Sequence, residues 1–243
     1  MVDKSALVSL LAQTSLFAGL DADDLAALAA QFKERQFAKG ATIFLRGDPG
    51  EHLYLVESGR IRLAVSTADD RNLSVRHATA GDLFGEIAAL DGGPRTADAT
   101  AITKAKIHCL DRRTFRDLWA RRAAMAARLV EFVCRRLRET TTQFESVALD
   151  PLDVRLARFL LSALGSRRAP PGKRVPLELG FSQAELSQLL GASRPKVNGA
   201  IASLEKVGAV GRTLDRLFCD PEKLARIAQR HDRVKSPSPL TIT

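Results

Sequence analysis

The chain has 243 residues, of which 45% are hydrophobic and 5% aromatic, enough for two soluble domains with largely aliphatic cores. No apolar run approaches the roughly 18 residues of a membrane helix, and Cys109, Cys134 and Cys219 fit neither a disulfide framework nor a Cys-x-x-Cys site, so a cytoplasmic chain with reduced thiols is expected. The net charge of +9 is uneven: residues 1–150 carry 21 Lys and Arg against 20 Asp and Glu, whereas residues 151–243 carry 16 against 8, an excess that points to a polyanionic partner, nucleic acid or an anionic membrane.

ALVSLLAQTSLFAGL, residues 6–20, has the outline of a weak signal peptide after Lys4, but Gln13, Thr14 and Ser15 interrupt it and export is not expected. An amphipathic helix follows around Asp23 to Phe32. Residues 36–110 alternate short apolar and polar runs between turn signals at Gly40, Gly47 to Gly50, Ser58-Gly59, Ala68 to Asp70 and Gly81-Asp82. That spacing predicts a small β-barrel or sandwich. From Arg112 to Ala148 the pattern predicts one long helix with a seam of Met125, Leu129, Val133, Leu137, Thr140, Phe144 and Val147. Such a helix outruns its own barrel; a second copy is the simplest cover, and a core-packed helix the alternative.

Asp150 and Pro151 suit an N-cap and a first helical position, which puts the domain boundary between 1–149 and 150–243. A helix over 151–164 ends at Gly165, and the basic SRRAPPGKRVP follows as a loop. In FSQAELSQLLGASRPKVNGAIASLEKVGAV, Ser182 and Glu185 form a capping box, Gly191 breaks the chain, and Ser193 caps a second helix with Pro195 in its first turn. Two short helices across a tight turn fit a helix-turn-helix, with an ordinary helical hairpin as the alternative, and the basic excess of the same domain favours the former. GAVGRTLDRLFCD predicts a two-stranded wing and PEKLARIAQR a closing helix, while the tail from Asp232 to Thr243 predicts disorder.

The stretch FGEIAALDGGPRTADATA, residues 84–101, carries the chemistry. A Gly85 turn opens a short helix whose first N–H groups lack helical partners and attract an anion. The Gly92-Gly93-Pro94 turn returns Arg95, whose planar fork can bond the same anion. Glu86 makes sense beside an anion if it accepts from a ligand hydroxyl such as a ribose 2′-OH. Phosphate and sugar together suggest a cyclic nucleotide; an internal Glu86–Arg95 salt bridge on a sheet edge is the open alternative.

The stretch resembles the phosphate-binding cassette of cyclic-nucleotide-binding domains, and FLRGDPGEHLYLVESGRIRL resembles the strand-turn signature upstream of it. With GASRPKVNGAI downstream, residues 15 to 230 are similar to the CRP/FNR family of bacterial transcription regulators, in its cyclic-AMP receptor branch. The resemblance implies an α+β chain: an N-terminal β-barrel (jelly-roll) cyclic-nucleotide-binding domain, a long dimerisation helix over about 112–148, and a C-terminal winged helix-turn-helix domain. It also implies a homodimer that binds double-stranded DNA, cAMP as activator, and RNA polymerase as a partner. Carried over, Gly85, Glu86, Ile87 and Ala88 meet the ribose phosphate, Arg95 and Thr96 clamp the phosphate, and Arg136, Thr140 and Thr141 face the base. Threonine at 96 also resembles the cassettes of cyclic-GMP-dependent kinases, which adds cGMP as a second ligand.

Ser193 and Arg194 match the start of the family's recognition helix, Lys196 and Asn198 are its remaining polar candidates, and Ser182 and Gln183 on the preceding helix hold phosphates. Pro195 and Gly199 depart from the family's pattern, standing where a base-reading glutamate and a second arginine are usual. An iron–sulfur variant needs about four cysteines near the N-terminus, and none precedes Cys109. The intact FGE argues against haem, so His52, His77, His108 and His231 are expected to be ordinary residues and no metal is expected. The C-terminal domain holds no Gly-rich phosphate loop or nucleophilic cluster, so no enzyme is expected. The rival class is a nucleotide-binding interaction module whose basic domain contacts protein rather than DNA.

Overall fold

The structure, a computed structural model, describes residues 4–66, 72–120, 123–165, 173–177, 183–213 and 216–229. The chain divides into two compact units, 1–140 and 141–243. Among the described residues no helix is long and apolar enough to cross a membrane.

In the first unit, α1 (Lys4–Gln13) and α2 (Ala22–Ala29) pack through Leu7 and Leu11 on one side and Leu25 and Leu28 on the other. The first half of the segment with the outline of a signal peptide is thus part of a helix of this core, and Leu16 and Phe17 after it are buried in the same core. Asp21 caps α2 by accepting from the Asp24 N–H at 2.8 Å. There follow β1 (Lys33–Phe37), β2 (Thr42–Phe44), β3 (His52–Ser58), β4 (Ile61–Ser66), β5 (Asn72–Ala78), β6 (Leu83–Phe84), the short α3 (Glu86–Asp91), β7 (Asp98–Ala101) and β8 (Ala105–Asp111). They form two antiparallel sheets, β1-β8-β3-β6 and β2-β7-β4-β5, with no strand pairing between them among the described residues. The expected barrel is therefore an open sandwich: Gly85, at φ 75°, stops β6 after two residues, too short a strand to carry the ladder round to β5. Between the sheets lie Val56, Ile61, Ile107 and a stack of Phe44, Tyr54 and Phe84, the last two with ring centroids 5.0 Å apart.

The predicted helix over 112–148 is two helices, α4 (Arg112–Ala120) and α5 (Ala123–Leu149), with residues 121 and 122 outside the described ones. Phe115 sinks α4 into the core shared with α1 and α2. The predicted seam also divides. Met125, Leu129 and Phe132 turn toward the chain's own core, whereas Val130, Val133, Leu137 and Phe144 are exposed, the last two by 65% and 72%. Helix geometry separates them, because Val133 lies eight residues beyond Met125 and so about 80° further round the axis. The division between the two units falls inside α5.

The second unit continues with α6 (Leu152–Leu164), β9 (Val175–Leu177), α7 (Gln183–Leu190), α8 (Arg194–Lys206), β10 (Val210–Arg212), β11 (Leu217–Cys219) and α9 (Pro221–Ala228). Pro151, not Asp150, is the N-cap of α6, because the Asp150 carboxylate is taken by Arg158. The apolar faces of α6, α8 and α9 close one core around Leu156, Leu160, Val197, Ile201, Leu204 and Leu224. The wing has three strands, in the order β10-β11-β9, rather than two. Pro176 opposite Phe218 masks β9 in the sequence, yet an edge strand tolerates the missing N–H. Ser193 stands at the N-cap of α8 without a side-chain bond to it. Ser182 of the expected capping box and the tail from Asp232 lie outside the described residues.

Phe115→Ala should lower the unfolding free energy by about 3–5 kcal/mol in a urea titration. Leu45→Ala, at an exposed site, should stay within about 0.5 kcal/mol of the parent.

Candidate functional site

The site is built where β6 stops. Gly85 takes the left-handed backbone that side chains rarely adopt, and a Cβ on it would lie 2.6 Å from Nη1 of Arg95. Gly50 allows a second close approach, because a Cβ there would collide with Ala88 and push α3 off the Pro49–Gly50 turn. Backbone bonds position Arg95 from the far side: its N–H donates to Asp48 O and its carbonyl accepts from the Gly47 N–H, both at 2.9 Å.

The Arg95 side chain then runs inward to 3% exposure. Its Nη1 donates to Gly85 O and its Nη2 to His52 O, each at 2.9 Å. The guanidinium carbon lies 4.3 Å from the centroid of Phe44 and 5.4 Å from that of Tyr54. Its Nε is buried without an acceptor. Burial pulls the guanidinium below its ordinary pKa, an effect that Tyr54 and then Asp48 oppose. A buried cation with an N–H unpaired is incomplete, and an anion is the chemical species that completes it.

The internal Glu86–Arg95 bridge is not formed among the described residues. Glu86, also buried, stands instead 3.8 Å from Nε of Arg136 on α5. Arg136 lies over the Phe132 ring, donates to Leu83 O at 3.2 Å and pairs with Glu139 at 2.9 Å, so it ties α5 to the start of the cassette. Arg76 on β5 reaches the same carbonyl at 2.9 Å and pairs with Asp82 at 2.9 Å.

The structure thus brings together Gly85, Glu86, Ala88, Arg95 and Arg136. Ile87 and Thr96 are exposed at the rim, and Thr140 and Thr141 are exposed on α5 about one turn beyond Arg136. Sequence reasoning missed Phe44, Tyr54 and Arg76. Their positions in alternating strands are ordinary, and only the pairing of the two sheets brings them to the cassette. On α8, Ser193, Arg194, Lys196 and Asn198 are exposed while Val197, Ala200, Ile201 and Leu204 are buried, so the polar candidates share an open face. A Cβ on Gly199 would meet nothing within 4 Å, so that face has a gap there. Gln183 is exposed at the start of α7.

Residues 34–122 match the cyclic nucleotide-binding domain family and residues 154–227 the Crp-like helix-turn-helix domain. The chain is 32% identical over 223 residues to a CRP-like cAMP-activated global transcriptional regulator of Mycobacterium tuberculosis, covering 90% of this chain and 99% of that one. It is 30% identical over 195 residues to the cyclic AMP receptor protein of Thermus thermophilus, covering 80% and 87%. Among solved structures, a CRP-family transcriptional regulator of Thermus thermophilus superposes with a TM-score of 0.63 at 27% identity, over 80% of this chain and 96% of that one.

Gly85→Ala should cost more than about 1 kcal/mol of stability, from backbone strain plus the collision with Arg95. In a double-mutant cycle with Arg95→Ala the collision disappears and the strain remains, so the two losses should fall short of additive by about 0.5 kcal/mol or more.

Proposed function

The chain belongs to the CRP/FNR family of transcription regulators, and on that premise we propose that it is a DNA-binding regulator activated by cAMP, with cGMP as a second ligand. The observation that carries the reading is the Arg95 guanidinium, buried on two aromatic faces with one N–H unpaired. A cyclic nucleotide supplies an anionic phosphate and a free ribose hydroxyl. Arg95 and the backbone of Gly85 to Ala88 take the phosphate, with Thr96 at its edge. Glu86 accepts from the hydroxyl, which draws on the carboxylate that now faces Arg136. Arg136, Thr140 and Thr141 meet the base.

A second copy of the chain covers Val130, Val133, Leu137 and Phe144, which at heptad-like spacing form an apolar face too exposed for a lone helix. In the resulting homodimer the functional division is residues 1–149 for nucleotide and 150–243 for DNA. Two copies of α8 enter successive major grooves about 34 Å apart. Arg194 bonds guanine, Lys196 and Asn198 serve neighbouring bases or phosphates, and Ser182 and Gln183 hold the backbone. RNA polymerase is the partner through which such a protein regulates, in the cytoplasm.

Two measurements test this. Arg95→Leu should abolish cAMP binding in calorimetry and the nucleotide-dependent gel shift of DNA, while leaving far-UV circular dichroism unchanged; unchanged affinity would return Arg95 to a purely structural role. Selection from random DNA with cAMP present should recover a two-fold symmetric site with guanine fixed under Arg194 and tolerance at the bases facing Pro195 and Gly199, since each absent bidentate contact removes about 1–3 kcal/mol of discrimination. A site equally sharp at every position would overturn the assignment, and no DNA binding with or without nucleotide would favour the protein-contact module.

A further inference from the structure

We propose that Arg174, laid over Gly211 and joined by Lys223 at one backbone carbonyl, sets the angle at which the wing leaves the recognition helix and so decides whether the wing reaches a DNA phosphate. The inference rests on the DNA-binding reading above and extends it by giving a positioning role to two cations outside the helix-turn-helix. The place is the turn between α8 and β10. Gly208 takes the left-handed backbone there, at φ 70°. Its N–H donates to Glu205 O and that of Ala209 to Leu204 O, both at 2.9 Å, which ends the helix. The Gly208 carbonyl is left over. Arg174, the residue before β9, donates to it from Nη2 at 3.3 Å, and Lys223, in the first turn of α9, from Nζ at 3.5 Å.

One cation at the end of α8 is an ordinary complement to the helix dipole. A second repels the first, and among the described residues neither is paired with a carboxylate. What Arg174 adds is reach. A Cβ on Gly211 would lie 2.5 Å from its Nη1, so the guanidinium rests against the bare backbone of β10, three residues beyond the carbonyl that Nη2 holds. Gly211 is not in the left-handed region, so this close approach is what calls for a glycine there. Arg174 therefore touches the turn with one nitrogen and the first strand of the wing with the other. Lys223 fastens the same carbonyl to α9, whose cap Asp220 donates its N–H to Ala209 O at 2.9 Å. Beyond Gly211, Arg212 faces Glu205 of α8 at 3.7 Å, and the tip closes where the Thr213 N–H donates to Arg216 O at 2.9 Å. The direction that β10 takes past Arg174 fixes where that tip goes.

The test uses the full chain with cAMP and the two-fold symmetric site selected with it. Gly211→Ala is the sharpest variant, because its methyl group displaces only the end of the Arg174 side chain. It should weaken DNA binding about tenfold, as should Arg174→Ala, and the double variant should be within about twofold of either. Arg174→Lys keeps the charge but not the planar fork and should not restore affinity. In these variants ethylation of the phosphates at the wing should cease to interfere with binding, while methylation of the guanine N7 under Arg194 still does. That split separates a wing out of place from a domain that has lost stability, which would weaken both alike. The proposal is overturned if Gly211→Ala binds within about twofold of the parent, if the two losses add in full, or if Arg174→Lys restores binding, which would make Arg174 a direct phosphate contact. Should Arg174→Ala fail to fold by circular dichroism, Gly211→Ala and Arg174→Lys decide through the interference pattern. Those outcomes remove the role of Arg174 alone, whereas a parent chain that binds no DNA with or without cAMP removes the DNA reading and this proposal with it.

Discussion

Arg95 is held on the faces of Phe44 and Tyr54 with one N–H unpaired, and the architecture around it follows from the cost of keeping a cation there. Two backbone carbonyls, from Gly85 and His52, must stand at fixed positions to take its fork. The first requires a left-handed residue without a side chain at the end of β6, which in turn keeps β6 short and the sandwich open. The second requires β3 to pass directly beneath the cassette, where its neighbour Tyr54 supplies a ring to the cation. Backbone bonds to Asp48 and Gly47 fix the Cα from outside, so little in this site is free to adjust when an anion arrives. Preorganisation of this kind favours affinity because the ordering cost is met in folding.

Where adjustment remains is Glu86. In the chain alone its carboxylate faces Arg136, and in the proposed complex it serves a ribose hydroxyl. Arg136 is also what fastens α5 to Leu83, and α5 presents on another face the apolar residues assigned to the second copy. In that proposal one carboxylate is shared between ligand capture and the seating of the helix. If both bias one arrangement of α5, nucleotide and DNA must strengthen each other's binding by the same factor.

Periodicity makes the outline legible. Alternating strands, the long helical pattern, the helix-turn-helix and the cassette glycines each leave a local signature, and the structure has them, the long pattern as α4 and α5 rather than as one helix. What escapes the sequence depends on contacts between distant segments. The two faces of α5 read as one seam because apolar residues at steps of three and four occur on both, and only the packing of Met125 and Phe132 against α1 and α2 separates them. Strand β9 is hidden because Pro176 marks a loop unless a neighbour such as β11 makes it an edge. Asp150 has the chemistry of a cap, and only its nearness to Arg158 diverts it. Within the site, Gly85, Glu86 and Arg95 are legible because they lie in one stretch, whereas Arg76 and Tyr54 come from strands outside it.

The DNA-binding half divides affinity from specificity in the same physical terms. Its core fixes Val197, Ile201 and Leu204 inward, so the outward positions of α8 follow from helix geometry, and two of them, Pro195 and Gly199, carry nothing that can bond a base edge. In the proposed complex base reading then falls to Arg194, Lys196 and Asn198, the exposed polar residues of α8. The domain's basic excess is larger than those contacts use, with 16 Lys and Arg against 8 Asp and Glu after residue 150. Surplus charge of this kind binds phosphates, whose contribution is independent of sequence and falls steeply with salt. With few base contacts, tight binding drawn mainly from phosphates would occupy many sites. In the proposed homodimer, a ligand that set the spacing of two recognition helices would restore selectivity, because only a site with two half-sites in register can use both at once.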